Sequence, residues 1–110
     1  MISKKNLKTP YYAVIFSSIK TELNNENYSI MSDKMVELAE NQKGFLDIES
    51  VKENEIGITI SYWTDLNAIK NWKENSEHLI AQKYGKSDWY KFYKIRIAKV
   101  ERDYEFENKL

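Results

Sequence analysis

Two rhythms of apolar residues run along this chain, one of period two and one close to 3.6. Over 11–19 the period is two: Tyr12, Val14 and Phe16 fall on one side, and Tyr11, Ala13, Ile15 and Ile19 on the other. Apolar residues on both sides predict a strand buried on both faces. The rhythm then changes. Asn24 and Asn25 can cap a helix in which Tyr28, Met31, Met35, Leu38 and Ala39 recur at helical spacing. Gly44 offers the left-handed stop, so this helix is expected to end near Gln42 or Lys43. Alternation returns in 45–52 and 55–63, two strands around the short Glu53-Asn54 link. In the second strand Ile56, Ile58, Ile60 and Tyr62 share a greasy face. Gly57, Thr59, Ser61 and Trp63 make the other face, small and polar, as a strand bordering a cavity requires. Thr64 is the expected cap of a short helix with Leu66, Ile69 and Trp72 inward. A second helical piece runs from about Ser76 to Tyr84 and is stopped by Gly85. A long last strand, 90–106, changes parity between Ile97 and Val100, which predicts a β-bulge at Ala98-Lys99.

The order β-α-β-β-α-β predicts a ferredoxin-like α+β fold, an antiparallel sheet with both helices on one face. The domain spans 11–106, and the polar stretch 1–10, closed by Pro10, reads as a flexible N-terminal arm. The other sheet face is left as a bare row of Ile and Tyr. Such a patch calls for a cover, and a second copy of the chain, sheet against sheet, is the expected one: a homodimer.

Charge sharpens the choice of partner. Seventeen Lys and Arg balance seventeen Asp and Glu, which argues against nucleic acid or an anionic membrane as a partner. Cysteine is absent, so thiol nucleophiles, disulfides and thiolate metal sites are excluded. No apolar h-region follows the basic residues near the start, and no window approaches the about 20 apolar residues of a membrane span. The cytoplasm is the expected compartment. One histidine and scattered carboxylates give no metal constellation, and no G-x-G-x-x-G or G-K-[ST] loop is present. Metal: none, and cofactor: none, are therefore the expectations.

G-F-L at 44–46 followed by I-E-S, I-S-Y-W at 60–63 leading into a helix, N-W-K at 71–73 and V-E-R at 100–102 together resemble the antibiotic biosynthesis monooxygenase family of dimeric α+β barrels. The resemblance spans about 11–106. It implies a pocket between sheet and helices and, in the cofactor-independent members, oxygenation of a small aromatic substrate. The heme-degrading branch carries Asn on the first strand, Trp ending the third and an iron-ligating His on the following helix. Trp63 fits that pattern. Ser17 and Ser18 stand near the Asn, and Gln82 stands where the His would fall. Gln is a poor iron ligand beside imidazole, so that branch is disfavoured.

His78, the chain's single histidine, is the natural proton-transfer candidate. Gln82 is one turn further along the same helix face. The expected site is thus His78 as base, Gln82 and Ser61 as polar orienters, Trp63 as a stacking wall and Ser17 as a further substrate contact. Plainer roles stand beside these. His78 can be a half-exposed helix residue, Trp72 core, and Trp89 and Tyr90 interface residues. Arg96 beside Lys94 can be a solvated or interface charge. Two function classes follow: a cofactor-independent monooxygenase, or a non-catalytic small-molecule binder.

Overall fold

The alternating segments become four strands: β1 Tyr11–Lys20, β2 Phe45–Glu53, β3 Ile56–Trp63 and β4 Tyr90–Val100. The helical segments become α1 Asn25–Glu40 and α2 Leu66–Lys83. The structure, a computed structural model, describes residues 2–22, 25–83 and 89–110, the side chains of 25–27 and 78–83 excepted. Asn24, Tyr84 and Gly85, expected at helix ends, lie outside the described residues.

The strands form one antiparallel sheet in the order β2-β3-β1-β4, the ferredoxin-like α+β arrangement. Register decides which residues share a face. Val14 faces Ser61 and Ile97, Phe16 faces Thr59 and Ile95, and Ser18 faces Gly57 and Tyr93. This row lies towards the helices. The alternate row, Ile15, Ser17 and Ile19 beside Ile60, Ile58 and Ile56, lies on the opposite face. There Ile56 and Phe92 are 60% and 56% exposed. That face is apolar and open, as the alternation implied.

The core sits where α2 and the end of α1 meet the Trp63 end of the sheet. Val14, Ala39, Trp63, Ala68 and Ile69 form it, with Tyr12, Phe45 and Trp72 packed against it. Trp63 is fully buried. An indole removed from water contributes roughly 4 kcal/mol of hydrophobic transfer. Close approach of α2 depends on Gly44, at φ +91°. A Cβ there would meet the Ala68 Cβ at 2.6 Å and Thr64 Oγ1 at 2.8 Å.

Three local expectations are corrected. The segment after Trp63 is one continuous helix rather than two pieces, because the polar run Lys73-Glu74-Asn75 is an exposed helix face and not a break. Its cap is Asp65, not Thr64. Asp65 Oδ1 accepts from the Ala68 N–H at 2.8 Å, while Thr64 Oγ1 donates to Asp65 Oδ2 at 2.9 Å. That backbone bond, with the Thr64 hydroxyl, holds the Asp65 carboxyl below its ordinary range. β4 ends at Val100, and its irregularity lies at the other end, where Ile19 and Lys20 pair with Phe92 and Tyr90. Tyr104 and Phe106 belong to an exposed tail, so their spacing reports no strand face.

Both termini touch the open side of the sheet. Ser3 donates from its N–H to Glu49 Oε2 at 2.9 Å and from its hydroxyl to Asp47, and Lys5 Nζ reaches the Leu46 carbonyl at 3.3 Å. Tyr62 donates to Glu49 at 2.5 Å, and Tyr11 donates to Asp103 at 2.6 Å. Burial and the Asp103 carboxylate push the Tyr11 hydroxyl up to about 12. Among the described residues no helix is long and apolar enough to cross a membrane.

Candidate functional site

β1 and β3 supply the floor of a cavity of about 570 Å³ between the sheet and the helices: Val14, Phe16 and Ser18, then Gly57, Thr59 and Ser61. The parity of the two strands puts these six on one side. Met31 and Met35 of α1 and Trp72 and Ser76 of α2 close the other side. The volume falls within the about 300–1,000 Å³ of small-molecule sites. Gly57 keeps the floor low at the Ser18 end. A Cβ there would sit 3.4 Å from Ser18 Oγ.

One end of the cavity is aromatic. Tyr28, Trp89 and Tyr90 meet edge to face, with Tyr28 at 6.1 Å from Trp89 and 5.8 Å from Tyr90. Phe16 stacks on Tyr93 at 5.5 Å. Burial, then a hydrogen bond with Tyr28, raises the Tyr90 hydroxyl above its ordinary pKa, so it stays protonated. Two ammonium groups flank the Tyr28 ring, Lys20 Nζ at 4.9 Å and Lys52 Nζ at 5.5 Å from its centroid.

The opposite end is built on Trp63. Its Nε1–H donates to Ser61 Oγ at 2.8 Å. Its ring lies against Trp72, centroids 5.5 Å apart, and edge to face with Phe45. Ser61 is 3% exposed. Its oxygen accepts from Trp63 and keeps one proton and a second lone pair for other partners. The Nε1–H of Trp72 is buried and meets no acceptor among the described residues. Such an orphaned donor costs about 1–3 kcal/mol until something accepts from it.

The residues singled out in the sequence divide. Ser61 lines the cavity. Trp63 stands behind it, orienting Ser61 and supporting Trp72 rather than forming a wall. Ser17 pairs with Ile58 and Lys94 on the opposite face, and its neighbour Ser18 holds the position on the cavity floor. Side chains alternate along a strand, so one residue of offset exchanges the two sides. His78 and Gln82 fall within α2, and their side chains lie outside the described residues. Arg96 sits opposite Ile15 on the open face, and Tyr93 opposite Ser18 on the cavity face. Trp72 and Trp89, read from sequence as core and interface candidates, both line the cavity. Ser18 was findable from parity with Val14 and Phe16. The Tyr28–Lys20–Lys52 cluster was not, because it joins three elements. Among the described residues no three of His, Cys, Asp and Glu cluster to hold a metal.

Solved structures share this fold. The structure of SnoaB, a cofactor-independent oxygenase from Streptomyces nogalater, superposes with TM-score 0.61 over 91% of this chain and 100% of its own, at 8% identity. A Bordetella bronchiseptica protein classed with the antibiotic biosynthesis monooxygenases gives 0.63 over 82% and 96%, at 6% identity. The fold is the ferredoxin-like α+β fold of the antibiotic biosynthesis monooxygenase-like structures, as the sequence resemblance implied. No protein-family model matches the chain. YqjZ of Bacillus subtilis (strain 168) is 47% identical over 104 residues, covering 94% of this chain and 90% of its own. The chain belongs to the family of YqjZ.

Proposed function

We propose that the protein is a cytoplasmic, homodimeric, cofactor-independent monooxygenase acting on a small aromatic substrate. The observation that carries this reading is the apolar cavity, walled by Phe16, Tyr28, Trp72, Trp89 and Tyr90, on the fold of a cofactor-independent oxygenase. An electron-rich ring that loses a proton can itself give electrons to O₂. The protein then has to bind it, exclude water and favour its ionised form. For an anthrone the ring methylene becomes a carbonyl. One oxygen atom enters the substrate and the other leaves as water.

In this reading His78 takes the proton, Ser61 and Gln82 orient the substrate, and the aromatic walls fix its plane. Oxygen uptake with anthrone tests it: the purified protein is expected to accelerate uptake over buffer. His78→Ala is expected to lower the rate by about 10²-fold or more, the usual worth of a positioned base. An unchanged rate in that variant removes His78 as base, and no acceleration by the wild-type protein removes the oxygenase reading. A non-catalytic binder is the second reading, favoured by a cavity walled largely by apolar and aromatic side chains. Thermal stabilisation by anthraquinone without oxygen uptake from anthrone supports it.

A further inference from the structure

We propose that the cavity takes a planar aromatic acid whose carboxylate seats over Gly57, between the Lys52 ammonium and the Ser18 hydroxyl. The proposal deepens the reading above by giving the ligand a charge, and it rests on that reading only for the cavity as the ligand's place.

Register puts the three residues in one row. Lys52 pairs with Gly57 and Gly57 with Ser18, and all three line the cavity. Glycine leaves a notch in the middle of that row. A Cβ there would meet Ser18 Oγ at 3.4 Å and the Val51 carbonyl oxygen at 4.0 Å, and nothing nearer. The Ser18 hydroxyl therefore borders the notch directly. Paired Cβ positions lie about 4.5–5.5 Å apart, so the Lys52 stem rises from the other side. Its ammonium is 5.5 Å from the centre of the Tyr28 ring, and Lys20 Nζ is 4.9 Å from the same ring. Two positive charges thus stand at this end of the cavity.

Burial and charge both favour an anion here. Ser18 is 7% exposed, yet its hydroxyl has no hydrogen-bond partner among the described residues, and buried hydroxyls ordinarily have one. Lys52 has no ion pair among the described residues. The sheet also sorts its charges by face. At paired positions Lys20, Lys52 and Lys99 lie on the helix side, whereas Asp47, Glu49 and Glu53 lie on the open side. Glu49 borders the cavity, but its carboxylate is held by Tyr62 and Ser3. Asp33 and Glu77 line the cavity from the helices, together with Lys73.

A carboxylate over Gly57 accepts from Lys52 and Ser18 at once, and a charged acceptor makes the stronger bond. From that row the floor continues through Phe16 and Thr59 to Val14 and Ser61. Four residues of strand give roughly 13 Å, room for two or three fused rings.

Titration calorimetry compares 2-naphthoate with 2-naphthamide, its neutral isostere. The wild-type protein is expected to bind naphthoate about tenfold more tightly, with added salt weakening naphthoate alone. Lys52→Met keeps the stem against Tyr28 and removes the charge, so naphthoate is expected to fall to the level of naphthamide. Lys52→Arg is expected to keep the preference. Gly57→Ala puts a methyl in the notch at ordinary contact distance from Ser18 and is expected to weaken naphthoate as well.

Absence of naphthoate binding, equal affinity for the two probes, a preference surviving in Lys52→Met, or naphthoate unaffected by Gly57→Ala each overturns the proposal. Oxygen uptake from anthrone in the same preparations separates this outcome from that of the parent reading. Uptake without a preference for naphthoate removes the anion site and leaves the oxygenase. A preference without uptake leaves the anion site and removes the oxygenase.

Discussion

Single residues settle most of what this cavity can do, and they act through position rather than through chemical type. Ser17 and Ser18 are neighbours of the same composition, yet β1 turns one to the open face and the other to the cavity floor. Composition cannot separate them; the parity of Val14 and Phe16 can. Trp72 shows the limit of such spacing arguments. Its helical spacing with Ile69 announces an inward residue, and it is inward, against Trp63. Where the core stops and a cavity begins is set by what the sheet withholds opposite it, here Gly57, Thr59 and Ser61. Gly44 is equally specific. Its positive φ and the Ala68 Cβ that would lie 2.6 Å from an added methyl oppose any side chain. Gly44→Ala is expected to lower stability by about 3 kcal/mol, combining left-handed strain with overpacking. Urea unfolding measures it, and a loss below about 0.5 kcal/mol, the range of a neutral surface change, would mean the loop yields freely.

Elements carry the next layer. The first three strands are legible because each face keeps its own chemistry over several residues, whereas the apolar residues of the exposed tail after Val100 mimic a continued β4. The α2 segment looks like two pieces in sequence because Lys73, Glu74 and Asn75 interrupt the apolar rhythm, although a solvent-facing turn does the same. Its start was placed one residue early for a related reason: Thr64 and Asp65 are both good caps, and only geometry shows that Asp65 accepts from Ala68 while Thr64 serves Asp65. The Asp65 carboxyl is held below its ordinary range, so its charged form is favoured in the folded state. That contribution is complete above the unfolded carboxylate range and is lost as pH falls through the lowered folded value. Asp65→Ala is expected to melt earlier than wild type at neutral pH, with the gap closing in acid. Melting curves that stay the same distance apart at every pH would show that the cap does not act through its charge.

At the scale of the whole molecule the two faces of one sheet have different tasks. The helices cover one face incompletely and leave the cavity. The other exposes Ile56, Ile58, Phe92 and Ile19, with Lys94 and Arg96 on the β4 edge and Glu53 on the β2 edge. A second copy turned about the strand direction would lay β2 over β4 and bring the two apolar rows together. Light scattering is expected to give twice the 13.1 kDa chain mass, and Ile58→Lys, in the middle of the row, is expected to give the single mass. A wild-type monomer at micromolar concentration would leave that face without its cover. The strand β1 belongs to both faces: Val14, Phe16 and Ser18 floor the cavity while Ile15, Ser17 and Ile19 line the open side. A strand cannot move one row without carrying the other. In a dimer joined through that face, a ligand that displaces β1 on seating would change the strength of self-association, and self-association would change ligand affinity by the same factor. Occupancy of the cavity would then depend on protein concentration as well as on ligand, a form of heterotropic linkage written into the alternation of a single strand.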